Sequence, residues 1–278
     1  MKKKIFLYAS EISIITGHNK FEKKSKVINR ILNDYFPIEY KKITEILKSK
    51  DLELNPIDNK KYIESISKKY KIDLDNSLNK TLNTNNITDL NKCKKELINN
   101  LEKELIKNNV SKEEKAEITK SVKSLANTNF GLKFENVGLQ KYFKENKELI
   151  VESKTFFKKK IIENDQFEVY IGGRVDGLCY DYTGLLYKIV EVKNRIYKLF
   201  YKLRDYEKIQ CHIYMKLLDL NDTDLVECFK DDDVKINVIE VKFDNLFYEN
   251  EIEARLFNFI NYLKDIIDDS KINYETTI

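Results

Sequence analysis

Apolar and polar residues follow two different periods along this chain, and the change falls near residue 127. Over 27–35 and again over 92–107 apolar residues recur three and four positions apart, which lines one face of an α-helix. In the second stretch Leu97, Leu101 and Leu105 form that face. The polar run over 76–91 predicts a loop, and residues 1–20 predict a short helical element ending at Gly17. From 127 onward, Asn127, Thr128 and Asn129 offer capping side chains for a helix over 130–146. Strand-like runs follow over 150–157, 166–175 and 185–192, with Asp181-Tyr182-Thr183-Gly184 as a turn between the last two. A helix is expected over 206–220. A strand over 234–243 follows from the alternation of Val234, Ile236 and Val238, then Val241 and Phe243. The final helix, 251–268, carries the stripe Ile252, Leu256, Phe259, Ile260 and Leu263. Helix–strand–strand–strand–helix–strand–helix predicts an α/β core with one mixed sheet.

Composition narrows the class. The 278 residues are enough for one large domain or two small ones. Lys and Arg number 50 against 46 Asp and Glu, so the net charge is only +4, and a histone-like polycation is excluded. Seven glycines and two prolines, Pro37 and Pro56, exclude collagen-like and Pro-rich chains. No run approaches the ~20 apolar residues of a membrane span. Met1-Lys2-Lys3-Lys4 before Ile5-Phe6-Leu7-Tyr8-Ala9 imitates a secretory leader. The apolar run stops at Ser10-Glu11, however, so it is read as mature structure. Cys93, Cys179, Cys211 and Cys228 stand apart, with no CxxC pair, and are expected as reduced thiols in an intracellular protein. Lys, Asn and Ile, all abundant, are encoded by A/T-rich codons. Against that background the five arginines, Arg30, Arg174, Arg195, Arg204 and Arg255, are the more informative basic residues.

Candidate chemistry concentrates in Gly172-Gly173-Arg174-Val175-Asp176-Gly177 and in Glu191-Val192-Lys193. Two residues apart on a strand, Glu191 and Lys193 point to the same face, ~6.6 Å apart along the chain. Asp176, at the end of a neighbouring strand, can converge on that face. Two carboxylates and a lysine suit metal-assisted phosphodiester cleavage. Hard oxygen ligands hold Mg²⁺ or Mn²⁺, Val192 can add its carbonyl, and the lysine can position or help deprotonate a water, or neutralise developing charge. Glu-x-Lys is a weak signal in so charged a chain, since Glu22-Lys23-Lys24 satisfies it too. The strand context, Lys188-Ile189-Val190 before Glu191, strengthens it.

Three further segments extend the pattern. Phe130-Gly131-Leu132-Lys133-Phe134-Glu135 places Glu135 on the helix before the strands, and 205–215 places Gln210 and His212 on the helix after them. Tyr8-Ala9-Ser10-Glu11-Ile12 opens a segment that runs to Phe21. In this order the motifs resemble the phage λ exonuclease and YqaJ-type viral recombinase nucleases, a branch of the PD-(D/E)xK superfamily. The resemblance covers about 7–21 and 127–216. Val175 stands where the family usually has Pro before the Asp, and Lys20 where Pro is frequent after Asn19. It implies a restriction-endonuclease-like core, a central mixed sheet flanked by helices, made of 1–21 and 127–278, with 22–126 as a large helical insertion. That insertion is either a solvated helical layer or a device that guides DNA or binds a partner.

By position, the resemblance makes Asp176 and Glu191 metal ligands, Lys193 the catalytic lysine and Glu135 a direct or water-mediated metal ligand. Gln210 would orient the nucleophile side or Lys193. His212 competes for that place if the register shifts by two; the Q-x-x-x-Y spacing to Tyr214 favours Gln210. Ser10 would lie near the DNA phosphate, and Arg174, Arg195, Lys198, Lys202, Arg204 and Lys208 would bind DNA, interleaved with Tyr197, Phe200, Tyr201 and Tyr206 as stacking platforms. The implied activity is a Mg²⁺-dependent deoxyribonuclease, foremost a 5′–3′ exonuclease acting on duplex ends for recombination or repair, with a single-strand annealing protein as partner. The same site fits an endonuclease. A non-catalytic binding module of this fold is the contrasting reading. An RNA endonuclease with His18 as an extra metal ligand is the third. The family setting is intracellular, in host cytoplasm or nucleus for a viral protein, with no membrane, and nothing in the sequence speaks for an oligomer.

Overall fold

The computed structural model describes residues 2–49, 59–146, 149–153 and 155–268; Pro56 lies outside them. The N-terminal element expected as one helix is a strand, β1 (Lys3–Tyr8), running directly into α1 (Ala9–Ile15). Ile5 and Leu7, two apart, are both fully buried, so period two wins before the helix begins. Arg30 of α2 (Lys24–Tyr35) grips the Glu11 carboxylate of α1 with Nε at 2.6 Å and Nη2 at 2.7 Å. Helices α3 (Pro37–Ser49), α4 (Asn59–Tyr70), α5 (Leu74–Leu82), α6 (Ile87–Lys107) and α7 (Lys112–Glu145) follow.

Two polar stretches proved helical. The expected loop over 76–91 is most of α5 and the start of α6. Asp73 caps α5 by accepting from Asn76 N, Asn86 caps α6 by accepting from Asp89 N, and Leu74, Leu78, Ile87 and Leu90 are buried beneath. The helix expected to begin at 130 begins at Lys112, capped by Ser111 through Glu114 N. Asn127, Thr128 and Asn129 sit inside it as ordinary turns, because the buried run Ile118, Val122, Ala126, Phe130, Phe134 continues unbroken at i, i+4.

The strands form two sheets, where one was expected. The first has the order β1-β4-β3 and the second β2-β5-β6-β7-β8. The run expected over 150–157 divides into β2 (Leu149–Glu152) and β3 (Phe156–Glu163), one in each sheet. β4 (Phe167–Arg174) crosses into the second sheet as β5 (Gly177–Tyr180), so Val175 and Asp176 are the seam. β6 (Leu186–Asn194) is followed by α8 (Asp205–Leu218) and by β7 (Asp222–Lys230), parallel to β6. β8 (Val234–Lys242), α9 (Asn245–Phe247), a π-helical turn (Tyr248–Glu253) and α10 (Ala254–Asp268) complete the chain.

β7 was not expected from the pattern. Its Asp224 and Glu227 are charged yet buried, each with cationic partners, so the strand does not alternate like a surface strand. α1, α2, α8 and α10 share one apolar core with the first sheet. α7 covers the second sheet through Leu139, Tyr142, Val190, Val192 and Val226. The segment expected as a single insertion divides among three cores: Val27, Ile31, Leu32 and Ile43 join the first, Ile87 and Leu90 pack with Phe130 and Phe134, and α4 to α7 have a core of their own around Ile63, Leu74, Leu97, Leu101, Leu105 and Val122. Among the described residues no helix is long and apolar enough to cross a membrane.

Candidate active site

The seam between the sheets places the first carboxylate. β5 pairs antiparallel with β6, the last partners being Gly177 and Val190. Continuing that register by one residue sets Asp176 opposite Glu191. Asp176 Oδ2 accepts the Val192 backbone N–H at 2.7 Å, which ties the carboxylate to the strand that carries the other two residues. Ser153 N–H donates to the Asp176 carbonyl at 3.0 Å, so β2 holds the same seam from the other side.

Glu191 and Lys193 share the face of β6 that looks toward α8. Lys193 Nζ donates to Glu191 Oε1 at 2.7 Å and to Gln210 Oε1 at 2.9 Å. Gln210 Nε2 in turn donates to the Tyr214 hydroxyl at 2.9 Å, one helical turn on. The lysine is thus held from two sides in one orientation. Close packing supports this: a Cβ on Gly173 would lie 2.8 Å from Tyr214 and 3.0 Å from Ala9 Cβ, so only glycine lets β4, α1 and α8 meet here. The same contact brings the opening segment to the site, with Ala9 packed against the residue before Arg174. Ser10 beside it is exposed, its carbonyl accepting from Ser13 Oγ.

Glu135 arrives from α7. A Cβ on Gly138 would stand 2.7 Å from Val192 Cγ1 and 3.0 Å from Cys228 Cβ, so the glycine allows the helix to lie directly on β6. One turn earlier on that helix, Glu135 then lines a cleft of about 320 Å³ with Asp176, Arg174, Asn136, Glu152 and Ser153. Arg174 is exposed at this mouth. Of the expected catalytic set, Asp176, Glu191, Lys193, Gln210 and Glu135 come together.

The electrostatics of the cluster are out of balance. Burial pushes the Glu191 carboxyl up to about 8, against the pull of Lys193 and with the help of the Asp176 and Glu135 carboxylates. Burial, then the Asp176 charge, pushes Glu135 up to about 7, again with Lys193 opposing. Burial raises Asp176 as well, restrained by the Val192 N–H and by Lys193. Burial works against the Lys193 charge, but the Glu191 carboxylate outweighs it and holds the ammonium protonated. Three carboxyls face one lysine, and Glu191 Oε2 is buried without any hydrogen-bond partner. An orphaned carboxylate oxygen beside two further strained carboxyls is a donor set suited to a hard divalent cation. Among the described residues no three His, Cys, Asp or Glu side chains stand close enough to enclose a metal.

The remaining expected residues separate. His212 is fully buried; its Nδ1 faces the Lys208 carbonyl at 2.8 Å, and its Nε2 accepts from Asp244 N at 3.2 Å, between Phe243 and Phe247. The register question therefore resolves to Gln210. His18 pairs with Thr16 and with Glu251 at 3.2 Å, away from the three carboxyls. Arg195, expected on DNA, is 6% exposed and belongs to the scaffold: its Nη1 and Nη2 hold Glu207 at 2.6 and 3.0 Å, and its Nε holds Glu227 at 2.8 Å. Arg204 stacks 3.7 Å over the Phe200 ring and donates to the Tyr206 hydroxyl, and Lys208 lies 3.6 Å over Phe247. Lys198 and Lys202 are exposed, flanked by Tyr197 and Tyr201, which are 75% and 72% exposed. Tyr201 takes a left-handed conformation, φ +55°, with its N–H donating to Glu227 Oε2 at 2.8 Å, so this aromatic loop is braced from within. All four cysteines are free thiols, as expected. Ser153, Asn136 and Glu152 were not anticipated; Glu152 ends β2 with Ser153 next to it, Asn136 lies within α7, and only the fold brings them to Asp176.

No family model and no curated protein matches this sequence. Among solved structures it is similar to an alkaline exonuclease (LHK-Exo) from Laribacter hongkongensis, at 16% identity and TM-score 0.40, covering 69% of this chain and 88% of that one. The same exonuclease in complex with dAMP matches at 16% identity and TM-score 0.37, covering 68% and 88%. The protein SSO0001 matches at 18% identity and TM-score 0.37, covering 56% and 69%. At such scores the likeness decides nothing about chemistry, which has to come from the side chains.

Proposed function

We propose that the protein is a metal-dependent deoxyribonuclease that hydrolyses phosphodiester bonds at duplex DNA ends. The observation that carries this reading is the Asp176–Glu191–Lys193–Gln210 constellation, with Glu191 Oε2 left unpartnered. Asp176, Glu191 and the Val192 carbonyl would hold Mg²⁺ or Mn²⁺, with Glu135 reaching it directly or through water. The bound ion would supply Lewis-acid stabilisation of the phosphoryl oxygens and a more acidic water. Lys193 donates from a braced position, so its charge faces the oxygen on which negative charge develops. Gln210 keeps the ammonium from turning away, and Tyr214 keeps Gln210 in place. Glu135 sits on the cleft wall with Asp176 and can accept a proton from water arriving there. Arg174 and the exposed Lys198 and Lys202 would neutralise backbone phosphates, and Tyr197 and Tyr201 would stack on unpaired bases of an end.

The test uses linear and covalently closed duplex DNA, with Mg²⁺ or with EDTA, alongside Lys193→Ala. Mg²⁺-dependent loss of linear DNA alone, absent in the variant, is the expected result. Cutting of closed circles would make the same site an endonuclease. DNA binding without cleavage of either form would reject hydrolysis in favour of a binding module. An RNA endonuclease is disfavoured, since His18 is engaged with Thr16 and Glu251 instead of the carboxyl cluster.

A further inference from the structure

A second polar cleft lies apart from the carboxylates, between α6 and α7. It holds about 780 Å³, and its walls include Lys115, Thr119, Lys120, Lys123 and Asn127, with Glu102 the single acid among its described lining residues. The spacing 115, 119, 123, 127 is one face of α7. Of the acids in the same helix segment, Glu113, Glu114 and Glu117, none lines the cleft; Glu114 pairs with Lys69 at 2.8 Å, and Glu117 neighbours Tyr62. This half of α7 therefore presents cations and neutral donors on one side.

The cleft is joined to the carboxylate site by side chains and by a single rod. Buried Lys94 donates to Asn127 Oδ1 at 2.9 Å, and the same ammonium lies 5.9 Å from the ring centroid of Tyr197, four residues after Lys193. Asn194 Nδ2 donates to the Gly131 carbonyl of α7 at 2.7 Å. Twenty residues of one unbroken helix separate Lys115 from Glu135, about 30 Å at 1.5 Å per residue. That length matches roughly nine nucleotide steps of one strand at 3.4 Å.

We infer that the α6–α7 cleft is a nucleic-acid track: one strand of a duplex whose end lies at the carboxylates runs its phosphates along Lys123, Lys120 and Lys115, with Asn127 and Thr119 as neutral donors. The inference rests on the nuclease reading for its substrate. Cations spaced along one helix face with one opposing acid fit a regular polyanion, and continuity with the Tyr197 loop gives the strand its path. Phosphate contacts of this kind carry no base information, so the track serves any sequence.

The test is binding in EDTA, where no cleavage intervenes, to hairpin duplexes of about 4 and about 24 base pairs, one ending short of Lys123, about 18 Å along α7 from Glu135, and one longer than the track. The full chain is compared with the triple variant Lys115→Gln/Lys120→Gln/Lys123→Gln across a KCl series. The wild type should bind the long duplex more tightly than the short. The triple variant should lose that gain, its salt slope for the long duplex falling by about 2 to 3, while short-duplex affinity stays within about twofold. The single variant Lys120→Gln, at an exposed position, should lower the slope by about 1 and covers the case in which the triple variant misfolds. Wild-type affinity and slope in the variants, or no length gain in the wild type, would overturn the track. Loss of poly-glutamate binding with DNA binding unchanged would overturn it in favour of an acidic protein. A length gain that the variants abolish, in a protein that cleaves nothing with Mg²⁺, would keep the track and sink the catalytic reading. Cleavage with unchanged binding would do the reverse.

Discussion

Two buried charge clusters begin two residues apart at the end of β6 and both reach α8, yet they are built oppositely. Around Arg195, every charge is answered: the guanidinium holds Glu207 with two nitrogens and Glu227 with the third, and Glu227 also accepts from Phe200 N, Tyr201 N and Asn237 Nδ2. Around Lys193, three carboxyls face one ammonium, all three are pushed upward, and Glu191 Oε2 has no partner. A saturated network braces a loop and leaves nothing over for a ligand. An unsaturated one carries a standing cost that a cation would relieve. Of two arrangements with similar residues and similar burial, the unsatisfied one is the one we propose as the site.

The sharpest way to break this comparison is to remove each cation. Lys193→Ala should lower cleavage by roughly 10³-fold, the scale of a lost electrostatic stabiliser, while DNA binding changes little. Arg195→Ala should do the opposite. Two buried carboxylates lose their counter-charge, which costs about 3–5 kcal/mol and lowers Tm by roughly 10 °C or more. Single-turnover cleavage and calorimetry on both variants decide it. A stable, inactive Arg195→Ala protein would show that the saturated cluster is functional after all.

The helix that serves both clusters gives a finer contrast. Gln210→Ala frees Lys193 from one of its two holds and should reduce kcat on the order of tenfold to a hundredfold, with KM and Tm near wild type. His212→Ala, two residues on, empties a fully buried site between Phe243 and Phe247 and should cost about 2–4 kcal/mol of stability, with kcat near wild type below Tm. Equal effects on kcat would mean that neither side chain supports the lysine.

How much of this could be read from the sequence depended on whether local pattern or distant partners decided a segment. The convergence of Asp176, Glu191 and Lys193 was legible from strand alternation, whereas Glu135 and Gln210 entered only through the order of motifs shared with a nuclease family; the fold brings all five together. Gln210 over His212 was legible through Tyr214, which is hydrogen-bonded to Gln210. The seam at Val175–Asp176 was not, since β4 and β5 are continuous in the sequence and only the pairing partners differ. β7 was hidden because Asp224 and Glu227 look like surface residues until Lys188, Tyr142 and Arg195 are placed around them. Arg195 looked like a DNA contact for the same reason: its partners lie 12 and 32 residues away. The early start of α7 was masked by Asn127, Thr128 and Asn129, whose capping preference lost to the buried stripe from Ile118 to Phe134.

The smallest expected effect isolates the imbalance itself. In the folded protein Glu135 keeps its proton up to about 7, whereas an unfolded glutamate releases it near ~4.3. Between those values the native state binds more protons than the unfolded state, so this group lowers stability as pH rises through the window. Glu191 acts in the same direction up to about 8. Glu163, held down to about 2 by Lys160 and Lys2, keeps its contribution throughout that window and adds no slope. His212, whose pKa burial lowers, acts oppositely on the acid side, but it is common to both proteins in a comparison of Glu135→Gln with wild type. The glutamine has no charge to bury. At pH 8 without metal, Glu135→Gln should therefore melt a few degrees above wild type, on the order of 1 kcal/mol, and most of the difference should vanish at pH 5. Adding Mg²⁺ at pH 8 should raise the wild-type Tm and narrow the gap, because the ion relieves in the wild type what the substitution removes. A gap that is the same at pH 5 and pH 8 would mean that Glu135 carries no buried charge, and the contrast between the saturated and unsaturated clusters would lose one of its three carboxyls.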